Sequence, residues 1–401
     1  MTGAVVSRRL DVRNVERPVL AGWGAVFLGL LAFWLALPPL LVRSLVPSLV
    51  VALAAVGLGA WVVSQGQRRL GWGAIAAGVL GAIGAIAATK SGENNLERVV
   101  VWSALAAAML RFATPLVFAA LGGVISERSG VVNIGLEGMM LVGAFFAIYG
   151  ADLLGGWFGG LLLGMLAGGV LALVHAVFAI SLRADQIVSG FAVNFLALGI
   201  TGYVFLHHYG EQGTPDGLPQ VPDVSLPIDW IPFFGPALEK LNLLVWVALV
   251  LVFLVWLFVF RTPSGLRLRS VGENPRAAAT VGISVYKTRY LAVVASGVLA
   301  AMGGAFLSIG FVHSFNQNMT AGRGFIALAV VIVGKWRPVA ALAAALLFGF
   351  SQALAQRLPV FSESSSTLLQ ALPYVVTLIA VAGLVGRSTP PAADGVPYSK
   401  E

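Results

Sequence analysis

Twelve long apolar runs, joined by short polar links, constrain what this chain can fold into more than any other feature. Each run is near the ~20 residues that a helix needs to cross the hydrocarbon core of a bilayer. The chain is 58% hydrophobic and only 10% charged, a composition that soluble folds do not require. We therefore predict an all-α polytopic membrane protein with about 12 transmembrane helices. The runs lie at 19–37, 46–64, 71–89, 99–124, 131–150, 156–181, 186–207, 241–260, 289–311, 321–335, 338–356 and 370–386.

The basic residues predict the orientation. When the N-terminus is placed inside, most of the 25 Lys and Arg residues fall in links on the inner side. Because positive charge accumulates on the cytoplasmic side of membrane proteins, both termini are predicted to be cytoplasmic tails, at 1–18 and 389–401. This topology accounts for the net charge of +8 without a nucleic acid partner.

The stretch 122–140 interrupts two apolar runs and carries Glu127, Arg128, Asn133 and Glu137. On a helix, Asn133 and Glu137 are four residues apart and share one face. A carboxylate close to hydrocarbon is costly, so Glu137 is a candidate functional residue. Glu127 and Arg128 have two interpretations: a functional pair, or a loop pair among lipid headgroups.

Two loops are prominent. The predicted outer loop 208–240 holds six prolines, which favour an extended, rigid segment. It is either a docking surface for an external protein or a connector. The predicted cytoplasmic loop 261–288 is the longest and most basic inner link. Within it, Asn274 as N-cap, Pro275 at the first helical position and Gly282 as a stop predict a short surface helix.

A short motif occurs twice, as Ala-Ala-Leu-Gly-Gly at 119–123 and Ala-Ala-Met-Gly-Gly at 300–304. Four predicted spans follow this pattern in each of 99–207 and 289–386, in opposite directions across the membrane. This is an inverted-topology repeat, which favours a substrate path near the midplane where the repeats meet. The short, glycine-flanked run 321–335 is typical of the broken helices beside such paths.

The sequence offers little for chemical catalysis. It has no cysteine, its four histidines lack metal-ligand spacing, and it contains no Gly-x-x-x-x-Gly-Lys-Ser/Thr phosphate-binding loop. We predict no catalytic residue, no metal site and no cofactor bound by this chain, and therefore no enzyme.

Polar groups within the spans are the remaining candidates for a solute path. Arg111 lies deep in the run 99–124, and its predicted partners are Glu137 or exposed carbonyl groups. It is either part of a structural pair or part of the path. The uncharged candidates have a second interpretation as hydrogen-bonding contacts between helices. The candidate path or gating residues are Arg111, Asn133, Glu137, Asn194, Asn318, Arg323 and Tyr374.

Several motifs resemble one transporter family. They include Leu-Arg-Phe-Ala-Thr-Pro-Leu at 110–116, the stretch 126–140, Gly-Glu-Asn-Pro-Arg-Ala-Ala at 272–278 and Gly-Lys-Trp-Arg-Pro at 334–338. These resemble permease subunits of bacterial ABC importers of the ribose/branched-chain amino acid permease family. The residues at 126–140 and 318–338 resemble those of permeases in the guanosine and purine-nucleoside uptake branch.

The resemblance implies a ten-helix core of the vitamin-B12-importer type at 71–388, preceded by two extra N-terminal helices within 19–70. It also implies partners: an ABC ATPase subunit that binds ATP and Mg, a second, non-identical permease and an external substrate-binding lipoprotein. The location would be the bacterial cytoplasmic membrane. It assigns contact with the ATPase to Gly272, Glu273, Asn274, Pro275, Arg276 and Gly282.

The leading hypothesis is a permease subunit that moves nucleosides, with purine nucleosides first, by alternating access driven by a separate ATPase. The alternatives are an ABC permease for a simple sugar or an amino acid, and a proton- or sodium-coupled secondary transporter. A secondary transporter would use Glu137 as its coupling site and would move solute alone. A solute channel fits less well, since the polar residues form no ring motif.

Overall fold

The computed structural model describes residues 17–35, 44–90, 102–228, 230–231, 234–357 and 389–399. The predicted run 370–386, residues 1–16 of the predicted N-terminal tail and Tyr374 lie outside this part of the chain. The chain divides into two compact units, Met1–Trp102 and Ser103–Glu401.

The first unit contains three apolar helices, each of which packs against the other two. Glycines permit the close approach: a Cβ at Gly81 would lie 2.2 Å from the Gly29 carbonyl oxygen, and one at Gly71 would lie 2.7 Å from that of Gly59. The third helix thus packs with the first two, whereas the resemblance places it in the permease core. The boundary at residue 70 stays a prediction. The helices are α1 (Arg17–Leu35), α2 (Leu45–Ser64) and α3 (Arg68–Lys90).

The second unit is also built from helices, with one small sheet. Two segments, Val177–Ser181 and Phe306–Val312, are π-helical, and Gly210–Gln212 forms a 3-10 turn. The antiparallel strands β1 (Asp223–Ser225) and β2 (Lys240–Asn242) pair Val224 with Leu241. The helices are α4 (Trp102–Arg128), α5 (Leu136–Leu154), α6 (Trp157–Ala176), α7 (Gln186–Tyr209), α8 (Phe234–Leu238), α9 (Leu243–Arg261), α10 (Pro263–Glu273), α11 (Pro275–Thr280), α12 (Val285–Ala305), α13 (Arg323–Val333) and α14 (Pro338–Arg357).

Within the described residues, 8 helices are long and apolar enough to cross a membrane, and three shorter apolar helices accompany them. Every predicted apolar run that the structure describes contains a helix. The prediction of an all-α polytopic membrane protein is confirmed, with the β1–β2 hairpin as its one described sheet.

Helix α12 lies at the centre of the second unit, because small residues let three helices approach it. A Cβ at Gly304 would lie 1.8 Å from the Met140 carbonyl oxygen of α5, and one at Gly297 would lie 2.6 Å from that of Gly168 in α6. These contacts leave no room for side chains, and they fix the packing of α5 and α6 against α12.

The contacts between α4 and α12 are reciprocal. A Cβ at Gly122 would lie 2.6 Å from the Ser296 carbonyl oxygen, and one at Gly303 would lie 2.8 Å from that of Pro115. The two glycines hold corresponding positions of the repeated Ala-Ala-x-Gly-Gly motif, and each approaches the residue seven positions before its counterpart. Two related helices packed antiparallel about a local twofold axis have this pattern.

Three local predictions need correction. Asn133 does not share a helix with Glu137, because α5 begins only at Leu136, after a turn in which Gly130 has a φ of +86°. The predicted loop 261–288 contains a second helix, α10, which begins at the N-cap Thr262 and Pro263. Helix α12 begins at Val285, four residues before the predicted run 289–311, so Arg289 lies in its second turn and is buried.

Candidate substrate path and coupling site

A non-helical segment, 129–135, runs inside the second unit between α4 and α5 and is called the linker here. The Asn133 amide Nδ2 donates to the Ser296 hydroxyl at 3.0 Å. Ser296 lies ~16 Å along α12 from its first residue, so the linker reaches far into the membrane-spanning helices. Irregular backbone at such depth is tolerated where protein surrounds it.

Side chains from neighbouring helices satisfy the backbone polar groups around the linker. Gln186 accepts from the Val132 N–H at 2.7 Å, and His175 Nε2 donates to the Val132 carbonyl at 3.1 Å. Asn194 accepts from the Gly138 N–H at 2.8 Å and donates to the Ile134 carbonyl at 3.0 Å. The amide of Asn194 is thus occupied by the backbone, as the helix-contact interpretation expects.

Glu137, 8% exposed, joins the two halves of the second unit. Its carboxylate oxygens accept from the backbone N–H groups of Gly322 at 2.8 Å and Gly324 at 2.5 Å. These N–H groups lie at the N-terminus of α13, where a negative charge is favourable. A Cβ at Gly324 would lie 2.4 Å from the Glu137 Cα, so this contact requires glycine.

Two other candidates lie at the start of α13: Arg323 is its first residue, and Asn318 lies in the turn before it. Arg323 Nη1 donates to the Met319 and Thr320 carbonyls, each at 3.0 Å. Asn318 is exposed, with a φ of +57°. The Asn133 Oδ1 is buried and has no partner among the described residues. The structure thus brings Glu137 and Arg323 to the N-terminus of α13.

Arg111 lies apart from this centre. It lines a cavity of about 340 Å³ beside the β1–β2 hairpin, together with Gln220, His313 and Phe311. Its Nη2 donates to the Lys240 carbonyl at 3.4 Å, so its described partner is an exposed carbonyl and not Glu137. The hairpin is held to the π-helical end of α12, since Asn242 Nδ2 donates to the Gly310 carbonyl at 3.1 Å. Such π-helical segments are frequent at functional sites.

Glu127 and Arg128 both contact the turn that follows α13. The Trp336 indole N–H donates to the Glu127 carboxylate, and Arg128 Nε donates to the Trp336 carbonyl at 3.1 Å. Lys335 and Trp336 have φ values of +52° and +53°, a costly left-handed conformation that the surrounding contacts hold in place. The geometry gives this pair a packing role within the protein rather than a position among headgroups.

The junction of α10 and α11, residues 272–276, is called the α10–α11 turn. Asn274 Oδ1 accepts from the Ala277 N–H at 3.0 Å and Pro275 takes the first turn of α11, as the sequence predicts. Gly282 has a φ of +85°, as expected of a helix stop. A Cβ at Gly272 would lie 2.2 Å from the Arg128 carbonyl oxygen, so the turn touches the end of α4. Glu273 and Arg276 are exposed beside it.

Comparisons with known proteins show the family of the chain. Residues 105–381 match the family described as branched-chain amino acid transport system / permease component. The chain belongs to this permease family.

Two similar curated permeases are matched over almost their full length. The chain is 43% identical to the guanosine ABC transporter permease protein NupQ of Bacillus subtilis, over 76% of this chain and 99% of that protein. It is 41% identical to the nucleoside ABC transporter permease protein NupC of Lactococcus lactis, over 77% and 98%. A putative glucose ABC transporter permease of Haloferax volcanii is 40% identical over 62% and 76%. No solved structure matches the chain. The permease is a transport component and not an enzyme.

Sequence reasoning missed two features of the permease. Arg289 is 1% exposed, although the sequence places it next to a basic loop. Residues 389–399, predicted only as a tail, fold against the α10–α11 turn, where the Ala393 N–H donates to the Gly272 carbonyl at 2.9 Å. The paired prolines and the tyrosine of this segment, Pro390, Pro391 and Tyr398, are the one sequence signal that it is ordered.

Proposed function

We propose that the chain is the membrane-spanning permease subunit of an ATP-driven importer that carries nucleosides, purine nucleosides first, into the cell. The observation that carries this proposal is its 43% identity to a guanosine permease across 99% of that protein. A nucleoside contains a ribose, and the similarity to a putative glucose permease favours a sugar as the second candidate solute.

We place the protein in the bacterial cytoplasmic membrane, with both termini and the α10–α11 turn inside and the β1–β2 hairpin outside. We propose twelve spans, comprising a ten-helix core of the vitamin-B12-importer type and two further N-terminal helices. The reciprocal approach of Gly122 and Gly303 supports the inverted repeat within this core.

Alternating access would be driven by an ATPase subunit, which binds ATP and Mg itself. The capped α11 helix and the exposed Glu273 and Arg276 beside it are suited to a groove on that ATPase. Gly272 permits the turn to rest on the end of α4, so a push on the turn reaches a membrane-spanning helix directly. Gly282 ends the exposed segment.

The solute path would run from the cavity at Arg111 toward the buried centre where Glu137 meets α13. Asn133, Asn318, Arg323 and Tyr374 are proposed beside this path, while Asn194 supports the linker. A second permease would supply the facing half of the path, and an external lipoprotein would deliver solute to the hairpin side. The second permease agrees with the existence of a second guanosine permease protein, NupP, in Bacillus subtilis, to which the chain is 25% identical.

A proton- or sodium-coupled transporter is less well supported. It would need Glu137 free to exchange its ion, but both carboxylate oxygens accept backbone N–H groups of the α13 N-terminus. Glu137 therefore serves to hold the N-terminus of α13 in place rather than to bind a coupling ion.

Competition of uptake tests the substrate class. Cells that lack nucleoside permeases would express this chain with its ATPase, second permease and binding protein, and would be given radiolabelled guanosine. We expect excess unlabelled guanosine or inosine to suppress uptake, and excess glucose or leucine to leave it unchanged. Suppression by glucose but not by inosine would replace the nucleoside with a sugar. Absence of guanosine uptake in cells that assemble the full complex would refute the proposed function.

A further inference from the structure

The segment 389–399, called the C-terminal strap here, is fastened to the α10–α11 turn at two adjacent positions. The Ala393 N–H donates to the Gly272 carbonyl at 2.9 Å, and the Ala392 N–H donates to the Glu273 carboxylate at 3.2 Å. Both donors are backbone N–H groups of the strap, so the contacts fix the position of its backbone.

The strap is also fastened to the membrane-spanning helices through Arg289. Arg289 Nε donates at 3.2 Å to the carbonyl of Ser129, the linker residue that directly follows α4. Its Nη1 donates to the Val396 carbonyl of the strap at 3.0 Å. Asp394 is near enough to interact with the Arg289 charge. A buried guanidinium requires such partners, since an unpaired buried charge is strongly unfavourable. One side chain of α12 therefore connects α4, α12 and the strap.

A small apolar cluster holds the far end of the strap. Tyr398, 8% exposed, packs with Val271, Ala278 and Val285, which belong to α10, α11 and α12. Its ring centroid lies 5.5 Å from that of Tyr286, edge to face, and the Tyr286 hydroxyl donates to the Tyr398 carbonyl at 3.4 Å. The cluster joins the strap to both sides of the α10–α11 turn.

The strap closes one side of a cavity of about 350 Å³ that lies against the linker. This cavity reaches from the strap to the segment that precedes Glu137. Its walls include Glu127, Val132, Ile134, Ile332, Pro390 and Asp394.

We propose that the C-terminal strap is a coupling element of the transporter, with Arg289 and Tyr398 as its positioning residues. The strap transfers movement of the α10–α11 turn to the ends of α4 and α12 and thereby changes the cavity against the linker. This inference rests on the proposed function, because it requires an ATPase that moves the turn. The strap's backbone is bonded to the turn, and the same short segment is bonded to Arg289 and lines the cavity. The turn therefore cannot shift without either carrying the strap or breaking these bonds.

The test compares solute moved per ATP hydrolysed in proteoliposomes that contain the complete transporter. Tyr398→Ala removes the ring that packs on the α10–α11 turn, and removal of 389–401 deletes the strap. Tyr398→Phe keeps the ring, and Thr389→Ala changes an exposed strap residue. We expect Tyr398→Ala and the truncation to lower solute moved per ATP at least about tenfold, with ATP hydrolysis and copurification of the ATPase retained. The two control variants should match the unaltered transporter.

An unchanged ratio after removal of the strap, in a chain that inserts normally, would overturn the proposal. Loss of ATPase copurification in Tyr398→Ala would also overturn it, because the strap would then be a docking surface. If the truncated chain does not insert, the comparison of Tyr398→Ala with Tyr398→Phe decides the matter. The unaltered transporter tests the proposed function separately, and the variants are compared with whichever solute it moves.

Discussion

At the scale of single residues, Glu137 connects α5 to the N-terminus of α13 within the second unit. Charge-assisted hydrogen bonds of this kind contribute about 1.5–3 kcal/mol each, and more is lost when a buried partner is left unpaired. The two glycines at the N-terminus of α13 that donate to Glu137, Gly322 and Gly324, have no side chains to replace this contact.

Glu137→Gln should lower transport at least about tenfold, because an amide accepts well through one atom only and places N–H groups opposite a backbone N–H. Uptake of labelled guanosine, normalised to the amount of inserted protein, measures this effect. Glu211→Gln, which changes an exposed carboxylate, is the matched control and should leave uptake unchanged. Full uptake by Glu137→Gln would contradict the role of this carboxylate as an anchor.

Arg111→Gln should raise the half-saturating solute concentration with little effect on protein level. Its guanidinium lines the cavity at the hairpin and makes one long described hydrogen bond. Its removal is therefore expected to weaken solute binding and to leave the stability of the fold nearly unchanged. Initial rates over a range of guanosine concentrations provide the measurement, with the exposed Arg183→Gln as control. An unaltered concentration dependence would exclude Arg111 from the path.

At the scale of elements, the α10–α11 turn combines a capped helix with two exposed charged residues. Glu273→Lys combined with Arg276→Glu should abolish ATP-driven uptake while the protein still inserts, because the charge pattern presented to the ATPase is reversed. Copurification of the ATPase and uptake are measured together. Normal association and uptake in this variant would exclude the turn as the ATPase contact.

The strap has a pH dependence that follows from Asp394. Burial raises the pKa of Asp394 from 3.8 to about 7, against the opposing effects of Arg289 and the Gly395 N–H. The docked strap thus binds the proton more tightly than a released strap, and docking weakens as pH rises from 3.8 to about 7. Glu127 and Arg289 also face this carboxyl group.

A spin label at Val396→Cys measures this dependence, because the chain has no other cysteine and Val396 is 51% exposed. We expect label mobility to increase as pH rises from about 4 to about 7, by up to ~10-fold per pH unit in the docking equilibrium, and to change little above about pH 7. Asp394→Asn, which does not ionise, should reduce the pH dependence and keep the strap docked. Equal pH dependence in the two proteins would contradict the argument.

The elements show what local sequence can predict. The cap of Asn274 and the stop at Gly282 depend on neighbouring residues, and both occur as predicted. The linker could not be predicted, because its backbone is satisfied by Gln186, His175 and Asn194, which are distant in the sequence. Glu137 was identified from the sequence as a candidate, but its partners Gly322 and Gly324 were not, because they are distant in the sequence. The burial of Arg289 was missed for the same reason.

At the scale of the whole molecule, the second unit is held together by close backbone contacts at glycines and by a few buried polar groups at non-helical segments. Apolar side chains gain little from packing against one another in lipid, so close approach and internal hydrogen bonding determine how the helices assemble. Apolar periodicity therefore predicts where the helices lie but not which of them meet. The reciprocal α4–α12 contacts also required the structure, although the repeated motif pointed to them.

The central claim is that this chain imports nucleosides only as part of an ATP-driven complex. The most direct measurement is guanosine uptake into proteoliposomes that contain the purified chain, either alone or with its ATPase, second permease and binding protein. We expect uptake only from the complete set with ATP present, and none with a non-hydrolysable ATP analogue. Uptake by this chain alone, driven by a proton or sodium gradient, would contradict the account.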